Sequence, residues 1–534
     1  WQIYEITGLG RDDMPVARRM PNQPADFNNL TPLYGTDDRI IFTSDRPRNG
    51  ARHLYPQLDE YESHTTNTGP WSLDPRVTGG ALRLLNHAPS GNFSPSVDSW
   101  GRVVFTQWDH LMRDQQAGDP SFGTFNYASE AADAARLSNS AEVFPETRDA
   151  DEAQRQGINR HVFNHFLPRT VLKDGSGGET LNHLGRHELH TFFERSFVND
   201  PSLSGFSGNH DRPVYNLFQM KEDPLKPGRY VGVDAPEFQT HASGQIVTID
   251  APHGQPTLQA RVTYITHPAT KFPADAPTPD HSGLYRDPLP LSDGKLVAAH
   301  STGVRAEDPR APRSLYDFRL KTLKATPSGA WVADAALTPG IIRDLEYWSP
   351  GVKVTYSGAL WELQPVEVRA RPRPARLTTP TETPEQTVIA QSGVDMARLN
   401  AYLVRNNLAI AVTRDVTSRD AADRQQPFNL QVPGGKSTVG GTGQRYDVAH
   451  LQFYQGDQIR GLGGTTAPRA GRRVLAQVMH DDAARAANPA NAQGPAGSVK
   501  VAADGSAAAF VPAQRALSWQ LTNGAGVSVV RERY

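Results

Sequence analysis

The chain has 534 residues, enough for two or three domains, and its 55 basic and 57 acidic residues give a formal net charge of −2. This balance argues against the clustered basic face that binds nucleic acid, so we expect no nucleic-acid partner. The chain contains no cysteine, which excludes disulfides, thiolate zinc sites, iron–sulfur clusters and c-type haem attached within this chain.

A short strand preceded by a proline turn recurs along the chain, whose 45 glycines and 42 prolines suit many strands joined by turns. Two copies cover residues 31–46 and 94–106, and a looser copy covers 288–298. In the first two copies, an arginine (Arg39 or Arg102) precedes a β-branched and aromatic run that ends in Phe-Thr. Self-similarity over about 40–60 residues predicts the blades of a β-propeller with long inserted loops.

The remaining elements complete an all-β fold class, a β-propeller followed by a β-sandwich-like domain. We expect the propeller over residues 1–368, with Leu-Trp-Glu-Leu at 360–363 among its last strands. A proline-rich linker over 369–386 should be extended and free of helix. The β-rich domain over 387–534 should contain one short helix around 395–406, where Met396, Leu399 and Leu403 fall at helical spacing, and then a sandwich meander.

Several of these segments resemble a known family. They are Phe-Thr-Ser-Asp-Arg-Pro at 42–47, His-Leu-Tyr at 53–55, Phe-Ser-Pro-Ser at 93–96 and Trp-Asp-His at 108–110. They resemble TolB-like propellers of the PD40 type and, more specifically, the hydrazine synthase alpha-subunit-like family. That resemblance implies about six blades, a middle β-rich domain and haem held by Cys-x-x-Cys-His segments. This chain has no cysteine, so either the haem part is absent or the natural protein is longer.

Histidines supply the first candidate site. His183, His187 and His190 are closely spaced, and on a helix the first two would share a face. Neutral imidazoles in such an arrangement bind zinc or copper. His165 and His210 are near enough in sequence to converge with them at the funnel of a propeller, where ligands usually bind. The alternative is a set of structural or surface histidines that hold no metal.

Charged residues supply two further candidate sites for a ligand. Arg46, Arg48, Asp59 and Glu60 belong to one polar stretch, whose carboxylates could act as acid and base or hold calcium. The alternative is a solvated loop between strands. Asp109 and His110 are adjacent, and an aspartate beside a histidine could orient the imidazole for proton transfer. The alternative is that this pair only joins strands and turns by hydrogen bonds.

The sequence favours binding over catalysis, because it lacks the Gly-x-Ser-x-Gly elbow and other sharp catalytic signatures. We therefore expect an extracytoplasmic propeller that acts as a binding or scaffold protein within a larger assembly. Its partner would be another protein subunit, with a cytochrome among the candidates. The main alternative is a metal- or haem-dependent redox or electron-transfer protein related to the hydrazine synthase alpha subunit. A third is a carbohydrate-active enzyme that uses paired carboxylates such as Asp59 and Glu62.

The expected location is the periplasm or the extracellular medium. The absence of cysteine fits an oxidising compartment, where stray thiols are a liability, although it fits other compartments too. The chain begins at Trp1 rather than methionine, which predicts a processed chain or a fragment. Without a run of about 18 apolar residues, no transmembrane segment is expected.

Overall fold

A computed structural model of the chain describes residues 1–23, 27–45, 68–86, 91–112, 162–181, 216–255, 260–308, 313–349, 351–374, 377, 381–418, 429–440, 444–460, 473–513, 515 and 517–532. Strands dominate these ranges, in agreement with the predicted all-β class. No helix within these ranges is both long enough and apolar enough to cross a membrane.

An N-terminal hairpin precedes four antiparallel sheets of the same design, each with four strands in chain order. The hairpin pairs β1 (Tyr4–Thr7) with β2 (Val16–Arg19). Sheet I contains β3 (Asn29–Tyr34), β4 (Ile40–Ser44), β5 (Gly69–Leu73) and β6 (Arg83–Leu84). Sheet II contains β7 (Gly91–Val97), β8 (Arg102–Met112), β9 (Val162–Leu172) and β10 (Glu179–Thr180). Sheet III contains β11 (Leu217–Glu222), β12 (Arg229–Asp234), β13 (Gln245–Asp250) and β14 (Arg261–Tyr264). Sheet IV contains β15 (Leu284–Pro290), β16 (Leu296–Ser301), β17 (Arg319–Ala325) and β18 (Trp331–Ala336).

The first strand of every sheet carries a β-bulge at the same place. The register of each first strand shifts against the second strand at this point. One residue in each bulge has a positive φ although it is not glycine: Thr31 (47°), Ser94 (50°), Gln219 (56°) and Asp287 (48°). In sheets I, II and IV a proline follows that residue. The recurring proline therefore lies inside a bulged strand, where its missing N–H is tolerated, and the predicted proline turn is wrong.

Each sheet has a turn end and a loop end. At the turn end a tight turn joins the first strand to the second, and at the loop end the second strand connects to the third. In neighbouring sheets, turn ends lie next to turn ends and loop ends lie next to loop ends. Ser99 donates to Glu222 at the turn end of sheets II and III, and the Glu307 amide donates to the Gln239 carbonyl at the loop end of sheets III and IV. The connection from each sheet to the next also lies at the loop end.

A hairpin and an extended segment follow sheet IV. The hairpin pairs β19 (Ile342–Ser349) with β20 (Val352–Ala359). Residues 360–374, which include the predicted strand at 360–363, form no strand and instead cross several sheets. The Trp361 indole donates to the Tyr316 carbonyl in sheet IV at 2.9 Å, and Glu367 accepts from Ser292. Arg373 then forms an ion pair with Asp38 of sheet I at 2.6 Å. This segment therefore joins the last of the four sheets to the first.

The C-terminal region packs strands and two of its three helices around one apolar core. Its strands include a parallel pair, an antiparallel pair and a sheet centred on one long strand. The helices are α1 (Thr383–Gln391), α2 (Met396–Asn406) and α3 (Asp482–Ala487). The strands are β21 (Leu408–Thr413), β22 (Asn429–Gln431), β23 (Arg445–Asp447), the long β24 (His450–Arg460), β25 (Arg473–Val478), β26 (Ser498–Lys500), β27 (Ala507–Pro512), β28 (Leu517–Thr522) and β29 (Ser528–Glu532).

The helices differ in part from the sequence-based expectation. The helix expected around 395–406 is present as α2, and the Asp395 side chain caps it by accepting from the Arg398 amide. Helix α1 begins inside the segment predicted to be extended, because Pro384 lies in its first turn, where no backbone donor is needed. Helix α3 was not expected. The predicted division into three regions at 368 and 386 stays a prediction.

Candidate functional site

Most residues of the three candidate sites predicted from the sequence lie outside the described residues. These are His183, His187, His190, His210, Arg46, Arg48, Asp59 and Glu60. The strands that flank them are described, and β4, β8 and β12 all run toward the loop end of their sheets. The predicted metal and ligand sites at these residues therefore stay predictions.

The backbone of three predicted residues is described. Asp109 lies in β8 directly opposite His165 in β9, and His110 lies opposite Asn164. The pairing of β8 with β7 stops at Trp108, so this part of the hairpin extends beyond β7 at the loop end. The register thus brings Asp109 and His165 together from segments more than 50 residues apart, although the sequence paired Asp109 with its neighbour His110.

A strained loop between β12 and β13 lies at the loop end of sheet III. Gln239, His241 and Ala242 have φ values of 70°, 51° and 53°, although none of them is glycine. Left-handed backbone at such residues costs free energy, and it persists only where surrounding contacts fix it. Residues 239–242 are called the pinned loop below.

Sheets III and IV fix the pinned loop through its carbonyl groups. The Gln239 carbonyl accepts from the Tyr316 hydroxyl at 2.8 Å and from the Glu307 amide at 3.0 Å. The carbonyl of His241 accepts from Arg286 at 2.9 Å, and that of Ala242 accepts from Gln219 at 3.3 Å. Gln219 is itself the bulge residue of β11. The recurring bulge therefore supplies one of the donors that hold the loop.

His241 forms a pair with a buried carboxylate. Its Nε2 lies 2.9 Å from Oε1 of Glu307, whose side chain is only 4% exposed. The other oxygen of Glu307 accepts from the Ser314 hydroxyl and the Leu315 amide, both at 2.6 Å. Because both carboxylate oxygens have donors, Glu307 holds the imidazole in one orientation. The Nδ1 atom has no protein partner among the described residues, and the His241 side chain is 32% exposed.

Aromatic side chains complete the surroundings of His241. Its ring forms T-shaped contacts with the rings of Trp361 and Tyr316, with centroids 5.0 Å and 5.8 Å apart. Burial raises the pKa of Tyr316 to about 12. The Tyr316 hydroxyl therefore stays protonated at neutral pH and keeps its role as a donor to the pinned loop.

Apolar side chains are exposed around this buried framework. Phe238, directly before the pinned loop, is 61% exposed, and Leu315, whose amide binds Glu307, is 56% exposed. Phe272 is also exposed at the loop end, close to Lys271. Large apolar side chains around a few fixed polar groups are typical of protein-binding surfaces. The arrangement can therefore bind a partner through apolar contact and orient it through the imidazole.

A conservative change at Tyr316 tests how the pinned loop is held. We expect Tyr316→Phe to lower the free energy of unfolding by about 1–2 kcal/mol, because two carbonyl oxygens, those of Gln239 and Arg305, lose their shared donor. Urea unfolding measures the change. Hydrogen exchange of the Ser243 and Gly244 amides, which donate to the carbonyls of Thr240 and Tyr285, should become faster. Unchanged exchange of these two amides would show that other contacts hold the loop.

Metal binding finds no support in this site. Among the described residues, no three histidine, aspartate or glutamate side chains come together in a way that could hold an ion. The zinc and calcium sites predicted from sequence involve other residues, and those sites stay predictions.

The sequence analysis did not identify His241 or Glu307. They are separated by 66 residues, and neither belongs to a recognisable motif. The only local sign is the unusual run of non-glycine residues with positive φ, which becomes visible only in the structure.

Comparisons with known proteins are distant. No family model and no curated protein matches the chain. A structure of hydrazine synthase from Kuenenia stuttgartiensis aligns with 100% of this chain and 57% of its own, at 14% identity and a TM-score of 0.47. A mutant β-fructofuranosidase from Bombyx mori, in complex with sucrose, aligns with 63% of this chain and 56% of its own, at 8% identity and a TM-score of 0.24. The chain thus spans less than two thirds of these proteins, and its function has to be argued from its own residues.

Proposed function

We propose that this protein is an extracytoplasmic β-propeller that binds another protein subunit through the loop end of its sheets. Sheets I to IV are then consecutive blades, with their bulged first strands innermost. For the predicted total of about six blades, strands outside these four sheets would have to form the remaining blades. The C-terminal region is then the sandwich-like domain of the prediction, and the protein acts as a binding or scaffold component of a larger assembly.

The observation that carries this proposal is the exposed pair Phe238 and Leu315 beside the pinned loop. A single exposed apolar side chain costs the free protein little stability. It contributes to binding when a rigid framework already holds it in place. Here Leu315 is held through its amide by Glu307, and Phe238 directly precedes the pinned loop, whose carbonyl groups accept from four donors in sheets III and IV and their connections. A preorganised surface loses little conformational entropy when a partner binds.

The partner is a folded protein, because the apolar residues lie around a partly exposed histidine and not in a closed cavity. Protein interfaces combine apolar anchors with a polar rim in this way. The redox alternative remains a prediction that rests on histidines outside the described residues. A cytochrome partner would fit both the binding function and that alternative.

The test removes the two apolar anchors together. We expect the double variant Phe238→Ser and Leu315→Ser to reduce recovery of the partner at least tenfold, because each anchor contributes about 1–2 kcal/mol of binding. The wild-type and variant proteins are isolated from the native source, and associated proteins are quantified by mass spectrometry. Thermal unfolding should be unchanged, since both side chains are mostly exposed.

Leu225→Ser is the matched control. Leu225 is 56% exposed, as Leu315 is, but it lies in the β11–β12 turn at the opposite end of sheet III. The control should retain the partner that the double variant loses. A partner retained by the double variant, or lost equally from the control, would contradict binding at the loop end.

A further inference from the structure

We propose that the outer edge of β19 binds an extended segment of another protein, which adds to the β19–β20 hairpin as a third strand. The segment carries a basic side chain opposite Asp344. This contact uses none of the residues on which the proposed function rests, so each can hold without the other.

The β19–β20 hairpin lacks the packing that stabilises the four sheets. Among its side chains in the described ranges, 342–348 and 352–359, only Val354 is buried. Sheets I to IV have four strands each, whereas this sheet has two within the described residues. An isolated two-stranded hairpin is at most marginally stable in water and gains stability from a third strand or from packing on another element. The hairpin therefore has the architecture of an incomplete sheet.

The hydrogen-bond pattern identifies the backbone groups of β19 that point away from β20. The Leu360 amide donates to the Ile341 carbonyl at 2.8 Å, one position before the first pair of the ladder, Ile342 with Ala359. Because bonded and non-bonded pairs alternate in an antiparallel ladder, every second residue of β19 directs its N–H and C=O groups outward. These residues are Ile342, Asp344, Glu346 and Trp348.

The outer edge of β20 is occupied, whereas that of β19 is not. The outward carbonyl of Thr355 in β20 accepts from the Arg313 side chain at 3.1 Å. In β19 the outward carbonyl of Ile342 is used locally, since it accepts from the Arg343 side chain at 2.9 Å. The outward N–H and C=O groups of three residues have no partner among the described residues, and these three are called the open edge below: Asp344, Glu346 and Trp348.

A second copy of this chain is a poor occupant of the open edge. When two copies of β19 pair antiparallel over residues 342–348, Asp344 of one copy lies opposite Glu346 of the other, and this occurs twice. Like charges directly opposite each other destabilise a ladder. The charges of the edge therefore favour a strand from a different protein.

The side chains beside the open edge indicate which segment fits. The Glu346 carboxylate is paired with Lys353 across the ladder at 2.7 Å, whereas Asp344 is exposed and has no ion pair among the described residues. A lysine or arginine opposite Asp344 supplies a cross-strand partner. Trp348 lies on the same face and is 72% exposed, so an apolar residue four positions from the basic one would cover it.

Hydrogen exchange in the native complex tests the added strand. The protein is isolated with its associated proteins from the native source, and its exchange is compared with that of the purified protein alone. The three open-edge amides should exchange at least tenfold more slowly in the complex, because each gains a backbone acceptor. The Lys353 amide, at an outward position on the opposite edge of the hairpin, is the internal control and should be unchanged. Equal exchange of the open-edge amides in both samples, or isolation of the protein without a partner, would overturn the added strand.

Asp344→Pro blocks the open edge and leaves the hairpin intact. Proline removes an N–H that faces away from β20, so the midpoint of urea unfolding should be unchanged. The slow exchange of Glu346 and Trp348 in the native sample should be lost, because proline offers no donor and its ring obstructs the approach of a strand. Ser357→Pro is the matched control, since Ser357 lies opposite Asp344 at an outward position of β20. Slow exchange that survives Asp344→Pro, or is lost equally in Ser357→Pro, would contradict binding at β19.

Sedimentation of the purified protein distinguishes a foreign strand from a second copy. Wild type and Asp344→Pro should have the same mass in solution. A larger wild-type assembly that Asp344→Pro dissociates would overturn the foreign strand in favour of a second copy. The proposed function has its own readout, the Phe238 and Leu315 variant, and slow exchange at the open edge would stand even if that variant kept its partner.

Discussion

Replacing Arg102 by methionine should lower the free energy of unfolding by about 3–5 kcal/mol, because the buried carboxylate of Asp98 would lose the one cationic partner that the described residues place at hydrogen-bonding distance. Arg102 is 2% exposed, and its Nε lies 2.8 Å from the buried Asp98. Arg102 also donates to the hydroxyl of Tyr230, which in turn donates to Asp98, both at 3.0 Å. Burial raises the pKa of Tyr230, so its hydroxyl remains a donor. Urea unfolding of the purified protein measures the loss.

Arg39→Met is the matched comparison for this change. Arg39 holds the same position in the sequence repeat as Arg102, but its hydrogen bonds go to the Ser72 hydroxyl and to the carbonyls of Ser72 and Ala81. Its nearest carboxylate, in Asp74, is 3.7 Å away and is partly exposed. We expect a loss of about 1–2 kcal/mol, since neutral partners are left without a donor at a lower cost. Equal losses for Arg39→Met and Arg102→Met would show that burial of the charge pair is not the cause.

Acidification should destabilise the protein through His300. This residue is 3% exposed, its Nε2 lies 2.7 Å from the Ser282 carbonyl, and its Nδ1 lies 3.0 Å from the Lys321 amine. Burial, together with the nearby lysine, lowers the pKa of His300 to about 4. The imidazole is therefore neutral in the folded protein at neutral pH, with Nε2–H donating to Ser282 and Nδ1 accepting from Lys321.

The sign of the effect follows from proton uptake. As the pH falls below about 6.5, His300 in the unfolded chain takes up a proton, while in the folded protein it stays neutral down to about pH 4. The unfolded state binds more protons in this interval, so stability is full above pH 6.5 and is lost as the pH falls toward 4. The pKa difference corresponds to about 3 kcal/mol at most.

His300→Gln isolates this contribution from that of other titrating groups. Glutamine can still donate to Ser282 and accept from Lys321, but it does not titrate. Urea unfolding at pH 7 and pH 4.5 should show a smaller loss of stability in the variant than in the wild type, by about 2 kcal/mol. The partly buried His281 is the control, and His281→Gln should follow the wild type. Parallel pH profiles for wild type and His300→Gln would contradict a neutral buried imidazole.

The sequence predicted the strand repeat well but misread its proline. The β-branched runs after Arg39 and Arg102 are β4 and β8, and the looser copy at 288–298 spans the end of β15 and the start of β16. Periodic apolar residues mark strands because each strand must bury one face within a few residues. The proline was interpreted as a turn, although it follows the left-handed residue of a bulge, a conformation that the backbone adopts only against its partner strand.

The two buried arginines of the repeat also show what the local sequence cannot predict. The repeat drew attention to Arg39 and Arg102 equally, because they occupy equivalent positions. Only the structure distinguishes them, since Arg102 meets Tyr230 from sheet III, 128 residues away, whereas Arg39 binds groups within sheet I. The electrostatic environment of a side chain depends on neighbours from other sheets, and the local sequence does not contain them.

The sequence by itself therefore determined the all-β class, the strand repeat and the helix at 396–406. Each of these depends on residues that are close together in the sequence. The tertiary structure alone decided the candidate site. The site combines residues from separate connections and strands, namely His241, Glu307, Arg286 and Gln219. The side chains of the last three hold the pinned loop, whose strained backbone cannot be predicted from its residue types. Contacts between distant parts of a chain form only when the sheets pack, which is why no local pattern predicts them.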